Sequence, residues 1–157
     1  MTTFEIGTLA VSSMAAILFI LQLWMINRTV KLDYERHRNQ ATIEFAGKEF
    51  RKARELLQQN HGTQKLTEEE FEKLKNNADQ MASINSAFGT LEHIAVALNA
   101  GVYDKTIFFK MFGRTCIEIF NNYYLYIEYR RSNHGKTTYS QFEKLVKDNS
   151  IKGAVKH

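Results

Sequence analysis

An all-α chain, one transmembrane helix followed by a small helical bundle, is predicted by three features of this 157-residue sequence. A long uncharged run lies near the N-terminus. There is no proline, the strongest helix breaker. Apolar residues recur three and four apart, with no strand-like alternation.

Charge divides the chain. Glu5 is the only charged side chain before Arg28, so all 21 basic residues and all but one of the 17 acidic residues follow it. That remainder supports one domain. The 44% hydrophobic and 24% charged fractions exclude a disordered or low-complexity protein. Cys116 is the one cysteine, which excludes an internal disulfide and a cysteine-built zinc site. The expected organisation is an anchor at 1–27, a juxtamembrane stretch and first cytoplasmic helix at 28–60, and a cytoplasmic helical domain at 61–157.

Ile6 to Ile26 is uncharged over 21 residues, of which 16 are apolar. At about 1.5 Å per residue it matches a hydrocarbon core about 30 Å thick. Trp24 sits near one end, where amphipathic rings favour the interface. A cleaved signal peptide is the alternative, but it needs a basic start and a short apolar region. The basic residues Arg28, Lys31, Arg36 and Arg38 all follow the run, which places the N-terminus outside and the domain in the cytoplasm. Thr8, Ser12 and Ala16 share a helix face, and Gln22 is polar at depth. These features fit a self-associating helix and equally a monomeric anchor.

No Pro or Gly lies between Thr8 and Ala46, so the anchor is expected to run on into a cytoplasmic helix. Glu35 to Gln40 looks like a solvated neck. Ile43, Ala46, Phe50, Ala53 and Leu57 then form an apolar seam at spacings of three and four. The basic excess between Arg28 and Arg54 is what anionic headgroups attract. Asn60 to Thr63 reads as a loop. Thr67 and Glu70 fit a capping box. A helix from about Ser83 to Asn99 carries the seam Ile84, Phe88, Leu91, Ala95 and Leu98, and Gly101 ends it. Asp104 caps a short helix through Phe112, which Gly113 breaks. A helix from Arg114 to Arg131 buries Ile117, Phe120, Tyr124 and Ile127. Ser132 to Lys136 is a loop. Thr138 and Gln141 begin a last helix with Phe142, Leu145 and Val146 inward, and the tail after Asn149 frays.

Catalytic signatures are missing. The sequence has no glycine-rich phosphate loop and no histidine pair at metal-binding spacing. Cys116 reads as an inert buried thiol, and Glu92 and His93 as hydrogen-bonding and surface residues. No cofactor and no enzyme activity are expected. Aromatic residues crowd Tyr103 to Tyr129, more than one buried stripe accommodates, with Lys105, Lys110, Arg114, Arg130, Arg131, His134 and Lys136 around them. Rings beside cations stack bases and hold phosphates. An aromatic core with a solvated basic rim accounts for the same residues.

The stretch Leu91–Asp104, then Phe112-Gly113-Arg114, then the Tyr-rich helix ending Glu128-Tyr129-Arg130-Arg131, resembles a family of small bacterial proteins. These have one N-terminal membrane helix and a helical cytoplasmic domain, and they form a domain family of unknown function. The resemblance covers roughly 40–146 and carries no catalytic residues. In architecture the chain also resembles the membrane effectors of type III CRISPR antiviral defence. There, binding of a cyclic oligoadenylate to a cytoplasmic domain perturbs the membrane. That likeness implies a bacterial inner-membrane protein, a homo-oligomer such as a tetramer, and a pore-forming or membrane-perturbing role. Its partners are a cyclic oligonucleotide and the membrane, with no DNA. Arg114, Arg130, Arg131 and Lys136 are the leading ligand contacts, with Lys105, Lys110 and His134 behind them and Tyr126 or Tyr129 stacking a base. A membrane-tethered protein–protein adaptor without a small ligand is the rival expectation.

Overall fold

A computed structural model describes residues 3–62 and 64–154, with side chains at 13–62 and 64–149. All regular structure among them is helical. The elements are α1 (Thr3–Ala41), a π-helical segment (Thr42–Ala46), α2 (Gly47–Asn60), α3 (Glu68–Lys75), α4 (Ala78–Asn99), α5 (Lys105–Asn122), α6 (Tyr124–His134) and α7 (Ser140–Ala154). The chain divides into two compact units, Met1–His37 and Arg38–His157. Residues 38–60 thus lie in the second unit.

In the first unit every described residue from Ser13 to Tyr34 is exposed. The large side chains of Met14 to Ile26 have relative exposures of 51–66%. Among the described residues, one helix, near the N-terminus, is long and apolar enough to cross a membrane. The Arg28 guanidinium lies over the Trp24 ring, 5.5 Å from its centre. Thr8 and Ser12 of the expected small-residue face have side chains outside the described residues.

The second unit builds its core from α2 through α7. Phe50, Ala53 and Leu57 of α2 meet the seam Ile84, Phe88, Leu91, Ala95 and Leu98 of α4, and all are buried. Burying each large apolar side chain contributes about 1.5–3 kcal/mol. Phe88 is the aromatic hub, with Tyr123, Tyr126, Tyr139 and Phe142 all within 6.2 Å of its ring centre. Phe142, Leu145 and Val146 of α7 close the core.

Caps set the helix starts. Thr67 and Glu70 form the expected capping box at α3. α4 starts earlier than its seam suggests, because the Asn77 side chain accepts the Gln80 N–H at 3.2 Å and caps it there. The Asp104 carboxylate accepts the Ile107 N–H at 3.0 Å. Gly101 after α4 has φ +78° and Gly135 after α6 has φ +100°, the left-handed conformation that suits glycine at a helix end.

Four expectations are corrected. Gly113 does not break its helix. It is buried inside α5, where an added Cβ would lie 2.6 Å from Asn149 Nδ2, so its role is close packing. The break falls at Tyr123 instead, and this shifts the inward face. Cys116, Ile119, Tyr123, Tyr126 and Ile127 are buried, while Ile117 and Phe120 are only partly covered and Tyr124 is 47% exposed. Ile43 is 46% exposed, and Thr42 is buried in its stead. The cause is the π segment, whose wider turn changes the helix phase. Finally, α7 continues to Ala154, past Asn149, and 155–157 lie outside the described residues, as does Thr63 of the expected loop.

Candidate functional site

The basic residues expected to meet a ligand fall into two groups. Arg130, Arg131 and His134 lie on the last turns of α6, with Lys136 in the following turn. Lys105, Lys110 and Arg114 lie along the first ten residues of α5.

The first group is less open than its sequence suggests. Arg131 is 13% exposed in its side chain and turns toward α7, pairing with Glu143 at 2.7 Å and Glu128 at 3.0 Å. Its Nε also donates to the Thr138 carbonyl at 3.1 Å. These bonds tie α6 to α7 and to the turn between them. Arg130 differs. Its Nε is buried without a hydrogen-bond partner among the described residues, and the residue is half-buried. His134 and Lys136 are exposed.

In the second group Lys105 pairs with Asp148 of α7 at 3.1 Å. Arg114, with its side chain 91% exposed, pairs with Glu118 one turn on at 2.8 Å. Lys110 is exposed. Glu143 and Asp148 thus engage one cation from each group.

The two tyrosines separate as well. Tyr126 is wholly buried and donates its hydroxyl to Asn85 Oδ1. It therefore presents no ring face for a base, and its expected stacking role is replaced by a core role. Burial pushes its hydroxyl well above the ordinary phenol pKa, with Tyr139 adding to the shift. Tyr123, whose hydroxyl donates to the Leu57 carbonyl at 2.9 Å, is pushed by burial to about 12. Tyr129 is half-buried. Its ring meets Phe71 edge-on at 5.4 Å, and the Lys75 ammonium lies 5.8 Å from its centre. Most of the aromatic surplus is thus core and inter-helix packing.

An open groove of about 590 Å³ lies between the entry to α3 and the α5–α6 break. Lys65, Thr67, Asn121 and Tyr124 line part of it, and Glu68 sets an acid beside the lysine. None of the nine expected ligand residues lines it. Groups of His, Cys, Asp and Glu able to hold a metal are not found among the described residues. Cys116 is fully buried and unpaired with another cysteine, and burial pushes its thiol pKa up, away from the reactive thiolate.

Sequence reasoning missed a different polar cluster. Arg38 Nη2 pairs with Asp104 Oδ2 at 2.7 Å. The Thr42 hydroxyl accepts the Asp104 N–H at 2.7 Å and donates to the Arg38 carbonyl at 2.7 Å. These bonds close a ring between the π segment and the start of α5. Thr42 in an apolar seam was the available signal, but Ile43 beside it masked it.

The family model described as "Domain of unknown function (DUF4760)" matches residues 12–148. No curated protein and no solved structure matches the chain.

Proposed function

This chain belongs to the DUF4760 family, and we propose that it is a single-pass membrane-tethered module. Its helical domain acts by binding another protein, without catalysis, cofactor or metal. The observation that carries the tether is the stretch Met14–Ile26, whose apolar side chains stay 51–66% exposed. Water penalises so large an apolar surface, whereas lipid does not. Arg28, Lys31, Arg36 and Arg38 follow the stretch and favour an external N-terminus with the domain in the cytoplasm. Binding without a small ligand is favoured because Arg131 and Lys105 are engaged by carboxylates and Tyr126 is buried.

One test takes the full chain in native membranes. A C-terminal reporter should be active only if it functions in the cytoplasm, and alkaline carbonate should leave the chain in the membrane. Release by carbonate would sink the tether. In-cell photo-crosslinking from Tyr124 and Lys136 should then give discrete heteromeric adducts. Adducts absent at both positions would count against the adaptor role.

A second reading is a bacterial defence effector gated by a cyclic oligoadenylate, with an oligomerised anchor that permeabilises the membrane. Arg130 favours it, because its guanidinium Nε has no partner among the described residues and His134 and Lys136 stand exposed nearby in sequence. A symmetric oligomer would present this set several times around one ligand. Calorimetric titration of the full chain in detergent with cyclic tetra-adenylate separates the two readings. Saturable binding lost in Arg130→Ala supports the effector, and no heat supports the adaptor.

A further inference from the structure

We propose that Thr42–Ala46 is a register switch, able to hold either the π-helical turn or a regular α-helical one. The two registers divide the favourable contacts between them. In the π register Thr42 is buried with both its hydroxyl bonds made, to the Arg38 carbonyl and from the Asp104 N–H. The same register leaves Ile43 46% exposed. It also leaves Arg38 Nε and Asn39 Oδ1 buried without partners among the described residues. Each such orphaned group is costly. In an unbroken α-helix, Ile43 returns toward the seam of Ala46, Phe50, Ala53 and Leu57, at spacings of three and four. Thr42 crosses the seam and loses Asp104, and Asn39 turns outward. An apolar contact and two relieved polar groups are exchanged for the Thr42–Asp104 bond and the Arg38–Asp104 ion pair.

Removing the extra residue of a π turn rotates the turn just before it, Arg38 to Ala41, by about 100°, the angle of one α-helical residue. Asp104 holds the π register from the other side. It pairs with Arg38 at 2.7 Å while its second oxygen caps α5. Whatever moves the start of α5 therefore biases the register, and Arg38 to Ala41 turn in response. The switch requires no identified partner and stands apart from the choice between adaptor and effector.

Reciprocal accessibility tests it. Full-chain protein carrying Ile43→Cys or Asn39→Cys is treated with a water-soluble maleimide, alone and combined with Thr42→Val. The native Cys116 is buried, so its labelling reports unfolding. Thr42→Val keeps the shape and deletes the hydroxyl. It should slow labelling at 43 and speed it at 39, each by about tenfold. Opposite changes distinguish a rotation from general loosening. Arg38→Ala removes the ion pair without touching the core and should shift both rates the same way to a smaller degree. If Thr42→Val exposes Cys116, Arg38→Ala decides alone. Rates at 39 and 43 that stay unchanged, or move in the same direction, in the folded variants overturn the switch.

Discussion

Glu92, in the second half of α4, accepts the backbone N–H of Phe142 at 2.8 Å and that of Gln141 at 3.0 Å. These are N–H groups that the first turn of α7 leaves unsatisfied. A side chain remote in sequence thus does the work of an N-cap, and α7 is docked and capped by the same carboxylate. Asn99 adds to the join, donating to the Gln141 carbonyl at 3.1 Å.

Glu92→Ala should therefore lower unfolding stability by about 1.5–3 kcal/mol, the range for hydrogen bonds to a charged group. Urea unfolding of the full chain in detergent checks this through a lower midpoint at unchanged slope. Glu92→Gln keeps an acceptor and should lose less.

Gly113 carries a packing constraint. Gly113→Ala gains helix propensity of about 0.5–1 kcal/mol but meets Asn149 at 2.6 Å. Alone it should destabilise or leave stability unchanged. With Asn149→Ala added, the helix gain should emerge, so the double variant melts above Asn149→Ala alone. Thermal unfolding by circular dichroism measures the difference.

Arg130 and Arg131, adjacent in sequence, should behave differently. Arg131→Ala removes the bonds to Glu128, Glu143 and Thr138 and should cost about 1.5–3 kcal/mol. Among the described residues Arg130→Ala removes no side-chain hydrogen bond or ion pair, and it should leave the unfolding midpoint near that of the wild type. Equal losses in parallel denaturation curves would contradict this division.

Glu143 confers an acid dependence. Its hydrogen bond from Lys147 holds its carboxyl below the usual value, and Arg131 adds to this against the opposing effect of burial. A carboxylate depressed in the folded state stabilises the fold above its unfolded pKa. That contribution is lost as pH falls through the folded value. Stability should thus decline below about pH 4.3, the ordinary glutamate value, and Glu143→Gln should flatten that part of the profile. Unfolding midpoints between neutral and acid pH measure it.

Tyr126→Phe should retain the helical signal and lose about 1–3 kcal/mol, because Asn85 Oδ1 is left without its donor. A midpoint equal to the wild type's would show that this bond contributes nothing net.

Local chemistry written in adjacent residues was legible in the sequence. The apolar run from Met14 to Ile26, the Thr67–Glu70 capping box, the cap at Asp104, the turn at Gly101 and the α4 seam each depend on neighbours within a turn or two. Helical period and capping chemistry determine them without a distant partner. Tertiary structure decided what depends on partners far along the chain. Position 113 takes glycine inside α5 because Asn149 packs over it, and Arg131 faces α7 because Glu143 waits there. Tyr126 is core because Asn85 receives its hydroxyl, and Thr42 displaces Ile43 because Asp104, 62 residues on, supplies the N–H that makes a buried hydroxyl tolerable. A helix face chosen by hydrophobicity alone ranks Ile above Thr, and only the fold brings the polar partner that reverses that order.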